Sequence, residues 1–294
     1  APASDYRALV CLFFAGGSDT HNVVLATDTT SWTAYQTARN TGADPIALLA
    51  AGTPPNAGAT INTPARLGGV LPITPLTAQS GRSFALHPAL PWLTSQFAAG
   101  RAAVVSNVGP LIVPTTKAQY RARSVPLPPK LFSHNDQQSL WQSYSPEGAR
   151  VGWGGRLGDL LVAAGNNAAN PLFTAISTSG SAVWLSGQNV LQYQVGSSGP
   201  TAIGGMTGTL FGSGTASATF RSLITGSSSQ LFESEHAKVV SRSIDAQSRL
   251  ATTMLPAGTG GVPNPPQYTN PATGTLATNG LAGQLQTVAR MIGA

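Results

Sequence analysis

The sequence predicts an α/β protein, and three observations carry that expectation. Arg7 to Phe14 is a short apolar run closed by Gly16-Gly17, the pattern of a strand buried on both faces of a parallel sheet. Ala102 to Val108, ended by Gly109-Pro110, repeats it. Around these runs lie segments whose apolar residues recur at helical spacing between glycine and proline breakers. Of the 294 residues 41% are hydrophobic, enough for a core in one large domain or two ordinary ones.

Taken in order, Ser31 to Arg39 reads as a helix with Trp32, Tyr35 and Ala38 on one face. Residues 40–86 read as loops, broken by Pro54, Pro55, Pro64, Pro72 and Pro75. Leu86-His87-Pro88 leads into a helix from Trp92 to Ala98, stopped by Gly100, with His87 as a structural contact at its entry. The segment 110–130 is basic and punctuated by proline. Ser133 opens a helix to about Ser143, and Trp153 to Ala164 forms another with Leu157, Leu160 and Leu161 turned inward. Ser181 to Leu185 and Val190 to Val195 alternate and read as strands inside a polar insertion, 177–230.

Leu231 to Met254 returns to helical spacing, with Asp245 and Arg249 as an i,i+4 pair. Five prolines make 255–275 a loop, and Leu281, Leu285, Val288, Ala289 and Ile292 mark an amphipathic helix in 276–294 that returns to the core. The expected organisation is therefore 1–254 as the amino-terminal part of one α/β domain, then a loop, then that helix. A βαβ progression would continue into a further strand. None follows, so a missing carboxyl-terminal part or a second chain is an expected partner.

Charged residues are only 9%, against roughly 25% in an average soluble protein. The net charge of +6 comes from scarce acids, and no run of five basic residues exists, which argues against nucleic-acid binding. Lys117, Arg121, Arg123 and Lys130 read as a solvated loop or as a face toward a phosphate or sulfate group. The lone Cys11, inside the first expected strand, reads as packing. No apolar run approaches the roughly 18 residues of a transmembrane segment. The start Ala1-Pro2-Ala3 fits the end left by cleavage at a small-residue site, so export is expected.

Two motifs hold two of the four histidines and two of the ten carboxylates. In Gly16-Gly17-Ser18-Asp19-Thr20-His21-Asn22 the glycines allow a sharp turn, and Asp19 and His21 offer an oxygen and a nitrogen to a divalent metal ion. Asn22 can orient a neighbouring oxygen. The competing reading makes Asp19 a helix cap. In Ser133-His134-Asn135-Asp136 the spacing is close to a capping box. The same helix start attracts anions, and a serine there can attack a phosphate or sulfate ester if His134 or a metal activates it. Arg156, in Gly152-Trp153-Gly154-Gly155-Arg156, can bind an anion or sit at the surface.

These motifs together resemble the bacterial domain-of-unknown-function 1501 family. The resemblance runs from the Gly16–Asn22 stretch through Tyr35–Arg39, Leu86–Leu90, Gly100–Leu111, Pro114–Thr116 and Pro126–Gln138 to Gly152–Arg156, with a further match at Leu281–Ile292. It implies an alkaline phosphatase-like and sulfatase-like fold, a three-layer sandwich with a central mostly parallel sheet, incomplete in this chain. It also implies a bacterial protein exported by a twin-arginine (Tat) signal to the periplasm, the cell surface or the medium. By the same analogy Asp19 is a metal ligand, with His21 and Asp136 as further candidates, and Ser133 stands at the nucleophile. The later Gly-Phe-Asp-Thr-His and Asp-His-Gly stretches of the family do not occur here.

The expected function is that of a metal-dependent hydrolase-like protein acting on anionic phosphate or sulfate esters. Ser133 and His134 are the catalytic candidates, Asn22 and Arg156 the substrate-binding ones. The alternative is a non-catalytic secreted or cell-envelope protein that keeps the fold with a degenerate site. A third reading is a polysaccharide- or polymer-binding module using Trp184, Tyr193 and their neighbours.

Overall fold

A computed structural model describes residues 7–167, 171–206, 208–259 and 262–293. They divide into two compact units. One comprises residues 12–108 with 266–278, and the other the described residues of 1–11, 109–265 and 279–294.

The first unit is built on a three-stranded antiparallel sheet, β1 (Val24–Ala26), β2 (Leu71–Ile73) and β3 (Phe84–Leu86), with β3 in the middle. Leu25, Leu48, Val70 and Ala85 form its core. Trp32 and Tyr35 of α1 (Thr29–Arg39) and Leu67 of α2 (Pro64–Leu67) pack on it. The Asp28 carboxylate starts α1 by accepting from the Ser31 N–H at 3.1 Å, the usual role of an N-cap aspartate. The Tyr35 hydroxyl donates to Asn22 Oδ1 at 2.6 Å and accepts from the Leu48 N–H at 2.7 Å, so one ring fastens two loops to α1. Helix α3 (Pro91–Ala98) lies against β2.

In the second unit α4 (Lys117–Ala122) is closed by a true capping box between Thr116 and Gln119. It is followed by α5 (His134–Ser143) and α6 (Trp153–Ala163). A two-stranded parallel ladder joins β4 (Ile176–Ser177) to β5 (Tyr193–Gln194). Helix α7 (Gly214–Thr225) packs on α8 (Leu231–Thr253), which buries Ala237, Ile244, Ala246 and Leu250. Helix α9 (Gly280–Ile292) fully buries Thr287, whose hydroxyl donates to the Ser197 carbonyl at 3.1 Å. The hairpin β6 (Tyr268–Thr269) and β7 (Leu276–Ala277) belongs to the first unit, held there by the Asn62 N–H on the Ala272 carbonyl at 2.8 Å.

The protein is thus mixed α/β with small sheets, and several expected elements differ. Arg7 to Phe14 forms no strand; Leu9, Val10, Leu12, Phe13 and Phe14 are exposed, and so is Cys11. Ala102 to Val108 likewise forms no strand; Asn107 bends it at φ 58°, and Val104, Val105 and Val108 are exposed. A strand buried on both faces needs a ladder of hydrogen bonds to a neighbouring strand, and among the described residues neither run belongs to a sheet or a β-bridge. Ser181 to Leu185 closes into a 3-10 turn at Val183–Leu185, and Val190 to Val195 shrinks to β5. The polar 177–230 stretch, expected to be β, contains α7. In α6 the buried face is Gly155 and Gly158, while Leu157, Leu160 and Leu161 are exposed.

Candidate functional site

Helix α5 begins in an unusual way. Ser133 has no side-chain cap bond to the helix N–H groups. Its hydroxyl donates instead to Asp136 Oδ2 at 2.6 Å. Aspartate is one methylene shorter than the Glu or Gln of a capping box, and here the serine and the acid engage each other. Asp136 is buried. Its other oxygen accepts from the Glu147 N–H at 3.0 Å and lies 3.6 Å from Lys130 Nζ. The Ser133 hydroxyl, the Glu147 N–H and the Lys130 ammonium together hold the Asp136 carboxyl below the usual carboxylate range.

The turn that delivers Ser133 is strained. Lys130 and Phe132 both sit in the left-handed region, at φ 49° and 72°. A bulky side chain there costs on the order of 1–3 kcal/mol and persists only where its surroundings fix it. Phe132 is exposed apart from an edge contact with Tyr120, the ring centroids 5.4 Å apart. The strain places Lys130 beside Asp136 and half-exposes Ser133 at the open end of α5, where N–H groups attract negative charge.

Behind this turn the scaffold is tight. Trp153 donates its indole N–H to the Trp141 carbonyl at 2.9 Å and packs edge-on against Trp184 at 5.1 Å. The Gly152 N–H reaches the Ser186 carbonyl at 2.9 Å. A Cβ on Gly155 would lie 2.1 Å from the Ser186 carbonyl, so the glycines of this motif serve the approach of the 183–187 chain to α6. Asp159 accepts the Val190, Gln188 and Asn189 N–H groups at 2.8, 2.7 and 3.0 Å. Burial alone would raise its carboxyl, but those N–H groups outweigh burial and lower it. Arg156 is exposed on the first turn of α6, and His134 is exposed at the start of α5.

The other motif lies in the first unit. Asp19 precedes a 3-10 turn, Thr20–Asn22, without a side-chain cap bond, and its carboxylate is ion-paired with Arg39. The Asn22 amide donates to the Ile46 carbonyl at 3.0 Å while its oxygen takes the Tyr35 hydroxyl. Both ends of that side chain are therefore engaged in the fold. His21 lines a cavity of about 430 Å³ along β1 and α1, together with Tyr35 and Arg39. Ser133, His134, Asp136 and Arg156 thus belong to one unit, and Asp19, His21 and Asn22 to the other.

A divalent metal is implied by the resemblance, and the described residues do not fit one. Asp19 is committed to Arg39, and Asp136 to Ser133, Glu147 and Lys130. Among the described residues no three His, Cys, Asp or Glu side chains converge as a metal-holding group.

The chain matches no family model, no curated protein and no solved structure. Sequence reasoning missed the Asp19–Arg39 pair and the two left-handed residues before Ser133. A basic residue at the Arg39 position, one helix away from Asp19, gave no signal by spacing.

Proposed function

We propose that this chain is the amino-terminal part of an exported hydrolase-like protein acting on phosphate or sulfate esters, with Ser133 as nucleophile. The Ser133–Asp136 hydrogen bond carries the reading, because it aims the hydroxyl proton at a carboxylate while the hydroxyl oxygen accepts no helix N–H. In the proposed step Ser133 Oγ bonds to phosphorus or sulfur and its proton passes to Asp136 Oδ2. The bond to the ester oxygen breaks, and an aryl oxide leaves with the electron pair. Water then attacks the phosphoryl or sulfo group on Ser133; the Ser133–O bond to phosphorus or sulfur breaks, the serine oxygen takes back the proton held by Asp136, the water's proton passes to solvent, and phosphate or sulfate is released. Lys130, Arg156 and the free N–H groups of α5 would balance the anion. The alkaline phosphatase-like three-layer sandwich belongs to the same proposal. A divalent ion belongs to it only if a carboxyl-terminal part or a second chain supplies the ligands.

A second reading, a non-catalytic secreted or cell-envelope protein, is favoured by two observations. Asp136 is held ionised and is a poor base, and Asp19 is occupied by Arg39. Turnover of aryl phosphate and aryl sulfate by the whole chain, with and without added divalent ions, separates the two. The hydrolase reading expects activity that Ser133→Ala removes while far-ultraviolet circular dichroism stays unchanged. No turnover by the wild-type chain under any of these conditions leaves the non-catalytic reading standing.

A further inference from the structure

A second concavity, far in sequence from the Ser133 motif, has the make-up of a ligand site. It is a cavity of about 360 Å³ in the second unit, formed by β5, the 201–206 segment, α7 and α8. Cavities of this size hold small organic ligands. Its lining is mostly uncharged and polar, with the Gln194 and Gln247 amides and the Thr201 and Ser248 hydroxyls among it. Arg221 is the one charged residue in the lining, and there is no carboxylate. Among the described residues no carboxylate forms an ion pair with Arg221.

We propose that this cavity binds a single sugar ring carrying one carboxylate, a uronic acid. The chemistry of the lining selects that class. Amides and hydroxyls both donate and accept, which matches the mixed demands of ring hydroxyls. The Tyr193 ring, fixed by an edge contact with Phe173 at 6.1 Å, offers an apolar wall for a sugar's C–H face. Ile203, Met206 and Ile244 add apolar surface. The Arg221 guanidinium is a planar fork that fits a carboxylate in two parallel bonds. With one cation and no acid, the site favours an anionic sugar over a neutral one. This inference does not depend on Ser133.

Calorimetric titration of the whole chain with D-glucuronate tests it, with D-glucose and acetate as the comparison ligands. Glucuronate is expected to bind, glucose at least tenfold more weakly, and acetate without measurable heat. Arg221→Met, on an exposed position of α7, is expected to weaken glucuronate at least tenfold and to leave glucose unchanged. Ser133→Ala is expected to leave all three titrations unchanged. The inference is overturned if glucuronate does not bind, if acetate binds as tightly, or if Arg221→Met leaves the glucuronate affinity within twofold.

Discussion

The Ser133 hydroxyl and the Asp136 carboxylate share a 2.6 Å hydrogen bond at the first turn of α5. That contact removes the serine from capping and leaves the helix start open. It also ties the helix to the 145–147 loop, because Asp136 accepts the Glu147 N–H and Ser139 donates to the Pro146 carbonyl at 3.0 Å. One buried acid therefore organises both a candidate nucleophile and the loop beside it.

Asp136 should make the second unit acid-sensitive. Its carboxyl lies below the ordinary range in the folded chain. The stability it contributes is complete above the unfolded-state value, about 3.9, and is lost as pH falls through the lowered folded value. Urea denaturation of wild type and Asp136→Asn between pH 7 and pH 3 should show wild type ahead at neutral pH, with the gap closing in the acid range. A gap independent of pH would contradict this assignment.

His87 gives the first unit a sensitivity of the same sign, in a higher pH range. Burial lowers its imidazole, and its Nδ1 accepts the Ala89 N–H at 3.1 Å, which requires the neutral ring. The folded state therefore resists protonation. Stability is complete above the ordinary value near 6.5 and declines as pH falls toward the folded value. Thermal melts from pH 7.5 to 5 should fall for wild type and stay flatter for His87→Asn.

Gly155→Ala should destabilise the second unit by roughly 2 kcal/mol or more, since the new methyl meets backbone that cannot swing aside. Gly158→Ala is the control. Its Cβ would meet only the Val190 and Thr174 side chains, at 3.3 Å and beyond, and should cost under about 1 kcal/mol. Equal effects in denaturant melts would contradict the close approach at Ser186.

Leu86 is fully buried at the centre of the first unit's sheet. Leu86→Ala should cost about 3 kcal/mol in chemical denaturation, through lost burial and the cavity left behind. A cost under 1 kcal/mol would place the core elsewhere.

The helices were legible because their signals are local. Serine before α5 and the apolar spacing of α6 and α8 set boundaries that the structure keeps to within a residue or two. The last helix starts later than the expected 276–294, at Gly280, because Leu276–Ala277 pairs as β7. Helix α7 was hidden because Gly-Thr-Ala-Ser-Ala-Thr has weak helix propensity and little apolar periodicity; its start rests on Ser213 accepting the Ala216 N–H. Strands β1, β2 and β3 are three residues each, too short to show alternation. The apolar runs 7–14 and 102–108 misled because apolar composition cannot say whether a strand finds a partner. In α6 the glycines, not the leucines, are buried, since backbone approach to Ser186 outweighs side-chain hydrophobicity there. At the candidate site, i,i+3 spacing placed Asp136 near Ser133, but nothing local pointed to Arg39 on Asp19.

The central claim is that Ser133 forms the bond to the transferred group. Acid quench of the chain during incubation with an aryl phosphate, followed by peptide mass spectrometry, tests it most directly. One added phosphoryl group is expected on the peptide holding Ser133, absent in Ser133→Ala. Aryl phosphate turnover with that peptide unmodified, or a phosphoryl group found on another residue, would contradict it.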